Sequence, residues 1–220
     1  MHDDTPSAVP CELLSEEQRD ALQEIANIGM GAAGAKLAVL LDRFVALSIP
    51  RVALVERDRI RTQVELMLGT NRRFTAFRQS FRSDIAGEAM TFFDDGGTEE
   101  LCEAIYGQAQ PRADAPPQAD APSEWLFEVA NLLTGACLSG LLEQLGRQPT
   151  FSVPRAIGTS LYAEDIVDLP KLDLDRALLL DINMCIEHSG FKVHLLVLMA
   201  DGSVERLGTA LDNFLATLLG

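Results

Sequence analysis

The sequence predicts an α/β domain of α+β type. A duplicated helix-plus-strands unit forms one largely antiparallel sheet, with the long helix of each copy on one face, giving pseudo-twofold symmetry. Three observations predict it. Residues 24–51 align without a gap with residues 128–155, and 11 of the 28 positions are identical at an offset of 104 residues. Each copy opens with helical periodicity and continues in period-two alternation. Consecutive strands are joined by tight turns, which implies antiparallel pairing.

Residues 15–42 read as a long helix, because Leu22, Ile25, Ala26 and Gly29 share one face and Ser15 with Gln18 makes a capping box. Alternating runs at about 46–55, 62–68, 73–82 and 84–93 read as strands, and about 98–107 as a short helix. Residues 108–122, QAQPRADAPPQADAP, hold too little apolar bulk to offset their ordering cost. They read as a linker between half-units 13–107 and 123–220 of a single domain, with residues 1–12 a flexible N-terminus. A second long helix is predicted from Ser123 to about 145, followed by strands at 150–157, 177–187 and 191–200. The last two form a hairpin around His188, Ser189 and Gly190, and residues 203–219 a closing helix. Phe74, Phe77, Phe81, Phe92 and Phe93 are core candidates.

Composition narrows the function. At 220 residues, folding buries roughly 70% of the unfolded chain's surface, so no staple is needed. Thirty-three acids against 18 bases give a net charge of −15. That excludes a coat for nucleic acid, which neutralises phosphates with excess Lys and Arg, and disfavours adhesion to anionic membranes. The longest apolar runs, such as Leu195 to Ala200, are far shorter than a span, and the first ten residues lack the pattern of a secretory signal. A soluble cytoplasmic protein is expected. Cys11, Cys102, Cys137 and Cys185 are dispersed and read as reduced thiols, mostly in the core. His188 and His194 flank the Ser-Gly turn without a ligand cluster, so no metal site is expected. The eight arginines of residues 51–82 read as a solvated strand face, and Asp94 to Gly97 as a turn. Asp181, Asp201 and the acids of 164–175 read as loop and strand-end solvation.

Residues 29–34, GMGAAG, match a dinucleotide-binding fingerprint by letter only. The fingerprint needs a preceding strand and an acid about 20 positions on. Here the preceding segment is helical, and no Asp or Glu lies near position 50 until Glu56. The small residues read instead as letting the two long helices approach each other or a partner closely. Asp20, Glu24, Asn27 and Gly31 follow i, i+4, i+7, i+11 spacing and share one stripe. Glu124, Glu128, Asn131 and Gly135 repeat it. Asn is a poor helix former, yet it sits mid-helix in both copies while its neighbours differ. The stripes are candidate docking and catalytic sites.

The pattern Asp-x3-Glu-x2-Asn-x22-Pro is met by Asp20, Glu24, Asn27 and Pro50, and from the Glu onward by Glu128, Asn131 and Pro154. It resembles the CheC/CheX/FliY family of chemotaxis phosphatases, in its two-site CheC type, from about residue 14 to the C-terminus. The family usually has Asp or Ser four residues before the Glu, where the second copy has Glu124. The resemblance implies dephosphorylation of the aspartyl phosphate on a CheY-like response regulator. Asn27 and Asn131 would hold the attacking water, Glu24 and Glu128 would pair with a regulator lysine, and Asp20, Gly31, Glu124 and Gly135 would complete the docking face. No cofactor of its own is implied, with Mg²⁺ supplied by the partner. A possible second partner is the CheD deamidase, and a monomer is expected. The alternative is a non-catalytic module that binds the regulator or CheD. The residue types suit phosphoryl transfer, where positioning outweighs covalent participation. A neutral amide both accepts from a water and approaches an anionic phosphate without repelling it, as a carboxylate would not.

Overall fold

The structure, a computed structural model, describes residues 14–41, 44–48, 51–97, 124–166, 176–186 and 192–219. The first half-unit runs α1 (Glu16–Leu41), β1 (Val45–Leu47), β2 (Arg51–Glu56), α2 (Arg57–Leu68), β3 (Phe74–Arg82) and β4 (Ala86–Asp94). The second runs α3 (Glu124–Gln144), β5 (Thr150–Phe151), β6 (Arg155–Leu161), α4 (Ala163–Ile166), β7 (Arg176–Ile186), β8 (Lys192–Met199) and α5 (Asp201–Leu219). The predicted 98–107 helix, the 108–122 linker, the N-terminal 1–12, the 188–190 turn, Cys11, Cys102 and Pro50 lie outside the described residues.

All strands join one antiparallel sheet in the order β1-β7-β8-β4-β3-β5, with β2 also on β7 and β6 also on β3. The order is a palindrome about the β8–β4 pair. Each half contributes a central hairpin, β3–β4 or β7–β8, and lends its first strands to the hairpin of the other half. Neither half completes its own edge. The duplicated unit therefore folds as an exchange of strands, and the predicted fold class is the one observed.

Alternation divides the side chains between two cores. On one face Phe77, Phe81, Phe93 and Ile182 pack under Leu22 and Ile25 of α1, Leu133 and Leu141 of α3, and Leu207 of α5. On the other, Phe74 and Phe92 lie beneath Val64 and Leu68 of α2 and Ala163 of α4. All five predicted phenylalanines are buried, each contributing roughly 1.5–3 kcal/mol by area. The start of α1 is capped as the sequence implies: Ser15 N donates to Gln18 Oε1 at 2.9 Å and Gln18 N to Ser15 Oγ at 3.2 Å. Gln18 Nε2 then donates to Asp212 Oδ1 at 2.8 Å, tying α1 to α5.

The GMGAAG run lies wholly inside α1, and its first glycine has a packing role. A Cβ on Gly29 would fall 2.7 Å from Gly140 C, and one on Gly140 would fall 2.6 Å from Gly29 O. The helices cross backbone to backbone there.

Several expectations need correction. Residues 62–68 belong to helix α2, not a strand: Ile60, Val64 and Leu68 turn inward at helical spacing while Leu66 is 72% exposed. The strand expected at 150–157 is broken at Pro154, a buried residue that lacks the N–H a ladder needs. Asp201 opens α5, where an acid favours the helix dipole. Glu164 and Asp165 sit in α4. Asp181 is not strand-end solvation. It is buried in mid-β7, its Oδ1 3.9 Å from Nδ1 of the buried His194. Helix α3 is long and apolar enough to cross a membrane by length and composition, which the count of unbroken apolar runs missed, and 56% of that stretch is buried within the protein. Cys137 is buried and Cys185 half-buried, and both are free thiols.

Candidate functional site

The face of α1 opposite its core is where the motif lies. Leu22, Ile25, Ala26, Met30 and Ala33 are buried, whereas Asp20, Glu24, Asn27 and Gly31 are all exposed. The same division holds on α3: Val129, Ala130, Leu133 and Cys137 are buried, Glu124, Glu128 and Asn131 exposed, and Gly135 half-buried. Helical spacing thus gathers each predicted set onto one solvent-facing stripe.

The two motif glycines contrast with the Gly29–Gly140 pair. A Cβ on Gly31 or on Gly135 would meet nothing within 4 Å. Among the described residues, their lack of a side chain has no packing reason. It leaves the surface beside each Asn flat and low, so a second molecule can approach the backbone.

The first site lies where α1 borders β1. Asn27, Gly31, Gly34 and Ala35 form one wall of a groove of about 350 Å³, and Phe44 and Leu47 the other. Its lining is mostly apolar, with Phe44 64% exposed. In the second copy the positions of Gly34 and Ala38 are held by Leu138 and Leu142, both fully buried, so the corresponding space is filled.

The second site lies where α3 borders β3. Here Asn131 is held from below: Gln79 Nε2 donates to Asn131 Oδ1 at 2.7 Å and to the Ser152 carbonyl at 2.7 Å. Gln79 is buried, and its Oε1 has no hydrogen-bond partner among the described residues. An orphaned buried acceptor costs roughly 1–3 kcal/mol. No residue-level reading of the motif pointed to Gln79. A signal was present, since Gln79 falls in phase with Phe77 and Phe81, a polar residue on the buried side of its strand.

Pro154 separates β5 from β6, both paired to β3, and β1 and β2 are likewise parted before both pair with β7. Among the described residues no group of three or more His, Cys, Asp or Glu could hold a metal ion. The site's chemistry is that of carboxylates and carboxamides on rigid helices.

No family model matches the chain. The CheY-P phosphatase CheC of Bacillus subtilis (strain 168) is 23% identical over 203 residues, spanning 90% of this chain and 95% of that protein. Over most of its length the chain is similar to the CheC/CheX/FliY family. The crystal structure of Thermotoga maritima FliY superposes with a TM-score of 0.68 at 19% identity, covering 91% of this chain and 98% of that one. The FliM middle domain from H. pylori gives 0.59 at 10% identity, covering 90% and 99%. The mixed fold of helices on an antiparallel sheet is thus the fold of FliY.

Proposed function

We propose that this protein is a member of the CheC/CheX/FliY family and a two-site phosphatase that hydrolyses the aspartyl phosphate of a CheY-like response regulator. The observation that carries the reading is the pair of exposed stripes, alike in spacing, in which an Asn stands between a carboxylate one turn back and a glycine without internal neighbours. In this reading the regulator docks against the stripe, its backbone close to Gly31 or Gly135. Glu24 or Glu128 grips a lysine of the regulator, a charge-assisted contact that sets orientation. Asn27 or Asn131 then lies at the acyl phosphate and holds a water in line with the phosphorus. The water is positioned rather than deprotonated by a strong base, which suits a loose transition state with little bond-making to assist.

The electrostatics agree with this division of labour. A protein of net charge −15 has no long-range attraction for a phosphate, so a neutral amide is the group to place there. Mg²⁺ belongs to the regulator's own acidic pocket, and this chain contributes the amide and the carboxylate.

Following loss of phosphate from a phosphorylated CheY-type receiver domain tests the reading. Wild type should accelerate decay, and the Asn27→Ala/Asn131→Ala double variant should leave the regulator at its intrinsic rate. Equal decay with both proteins would remove the catalytic claim. Retained binding of the regulator, or of CheD, would then favour the non-catalytic alternative.

A further inference from the structure

We propose that Gln79 is the positioning residue of the second site, locking the Asn131 carboxamide with its oxygen turned to the sheet and its NH₂ turned outward. This rests on the reading of Asn131 as the group that holds the attacking water.

The orientation follows from an atom whose role is fixed. Ser152 O is a backbone carbonyl and can only accept, so the end of Gln79 that lies 2.7 Å from it is Nε2. That same Nε2 lies 2.7 Å from Asn131 and can only donate, so the Asn131 atom facing it is Oδ1 rather than Nδ2. Both Nε2 hydrogens are then used. The backbone at one end therefore fixes the amide at the other, removing the O/N ambiguity a carboxamide otherwise carries. Ser152 is anchored in turn: its N donates to Ser80 O and its Oγ accepts from Ser80 N, each at 2.9 Å. Among the described residues, Asn131 keeps one lone pair of Oδ1 and both Nδ2 hydrogens for what arrives from solvent. The lone pair accepts from a water while an N–H donates to a phosphate oxygen.

Packing alone does not call for glutamine at this position. The pseudo-twofold supplies the comparison. Ser48 pairs with Asn183 at the first site as Ser152 pairs with Ser80 at the second: Ser48 N donates to Asn183 O at 2.8 Å, and Asn183 N to Ser48 Oγ at 2.9 Å. One residue back along each strand, Gln79 therefore corresponds to Ile182, which is buried in the main core. The fold accepts an isoleucine there. With glutamine, Oε1 is left buried and unpartnered among the described residues, so its side chain is not explained by burial. Its hydrogen bonds to Asn131 and Ser152 are what distinguish it, and Asn27 has no counterpart among the described residues.

The test uses the full chain carrying Asn27→Ala, so that only the second site turns over. Gln79→Ile installs the residue found at the first site, and Gln79→Glu keeps the size but removes both donors, so the proposal stays testable if one variant does not fold. Each should lower kcat about tenfold on a receiver domain phosphorylated with acetyl phosphate, with KM unchanged within about twofold. A second readout needs no turnover: the ¹H–¹⁵N side-chain amide pair of Asn131, assigned by its disappearance in Asn131→Ala, should shift in the Gln79 variants. An unmoved Asn131 amide overturns the proposal, as does an unchanged kcat in an active Asn27→Ala protein. If the Asn27→Ala protein is inactive while the Asn131 amide still shifts on loss of Gln79, the positioning stands and the phosphatase reading is what fails.

Discussion

The two stripes share their four-position spacing, with Asp20 matched by Glu124, yet their surroundings differ. Asn131 is pinned from the sheet by Gln79, and the space beside it is filled by Leu138 and Leu142. Asn27 stands over an open groove lined by Gly34, Ala35 and Phe44, with Ile182 where the second site has its glutamine. The duplication thus holds the chemistry-bearing positions constant while their supports vary. One site is preorganised, whereas the other offers room and apolar contact area. The difference teaches that a repeated motif fixes which positions face outward, while a support such as Gln79 comes from the sheet beneath.

The largest effect that bears on this comparison is loss of the amides. In a protein with one working site, replacing the remaining Asn by Ala should lower turnover about 10²-fold, the scale for removing one positioned polar group. Single-turnover decay with each one-site protein checks it.

Next comes the contrast between the glycine pairs. Gly29→Ala or Gly140→Ala forces the helix crossing apart and should cost roughly 1–3 kcal/mol, with both stripes displaced together. Urea denaturation measures the loss. Gly31→Leu, where a Cβ meets nothing within 4 Å, should leave stability unchanged or raise it by up to about 1 kcal/mol. It should nonetheless raise KM at the first site several-fold, since the added side chain stands on the docking face. A Gly31→Leu protein that docks normally would show that the flat surface has another cause.

A smaller effect separates fold from site. Burial pushes the Cys137 thiol up from 9.0 to about 12. The folded state therefore keeps the proton that the unfolded state releases above pH 9, and this contribution to stability is lost as pH rises from about 9 towards 12. Cys137→Val should flatten that part of a stability–pH profile without altering turnover at neutral pH.

Much of this was legible in the residues. The gapless repeat at offset 104 implied a shared sheet, and the capping box at Ser15 marked the start of α1 within one residue. The stripes were legible because i, i+4, i+7, i+11 is a geometric statement. What was not legible depended on partners distant in sequence. The exchange of β1 and β2 onto β7 is a long-range pairing that local patterns do not encode. Helix α2 was misread because Thr62, Val64, Leu66 and Leu68 also satisfy a period of two, and only the exposure of Leu66 decides between periods. Asp181 was misplaced because an acid in a strand reads as solvated until the register sets His194 against it. Gln79 could have been suspected from its phase with Phe77 and Phe81, but its partner is 52 residues away.

The central claim is that the two stripes carry turnover and that the second is the better organised. Single-turnover loss of phosphate from a phosphorylated receiver domain, run side by side with wild type, Asn27→Ala, Asn131→Ala and the double variant, tests it most directly. The account predicts that order, fastest to slowest, with the double variant at the regulator's intrinsic rate. Wild-type rates for both single variants and the double variant alike would contradict it.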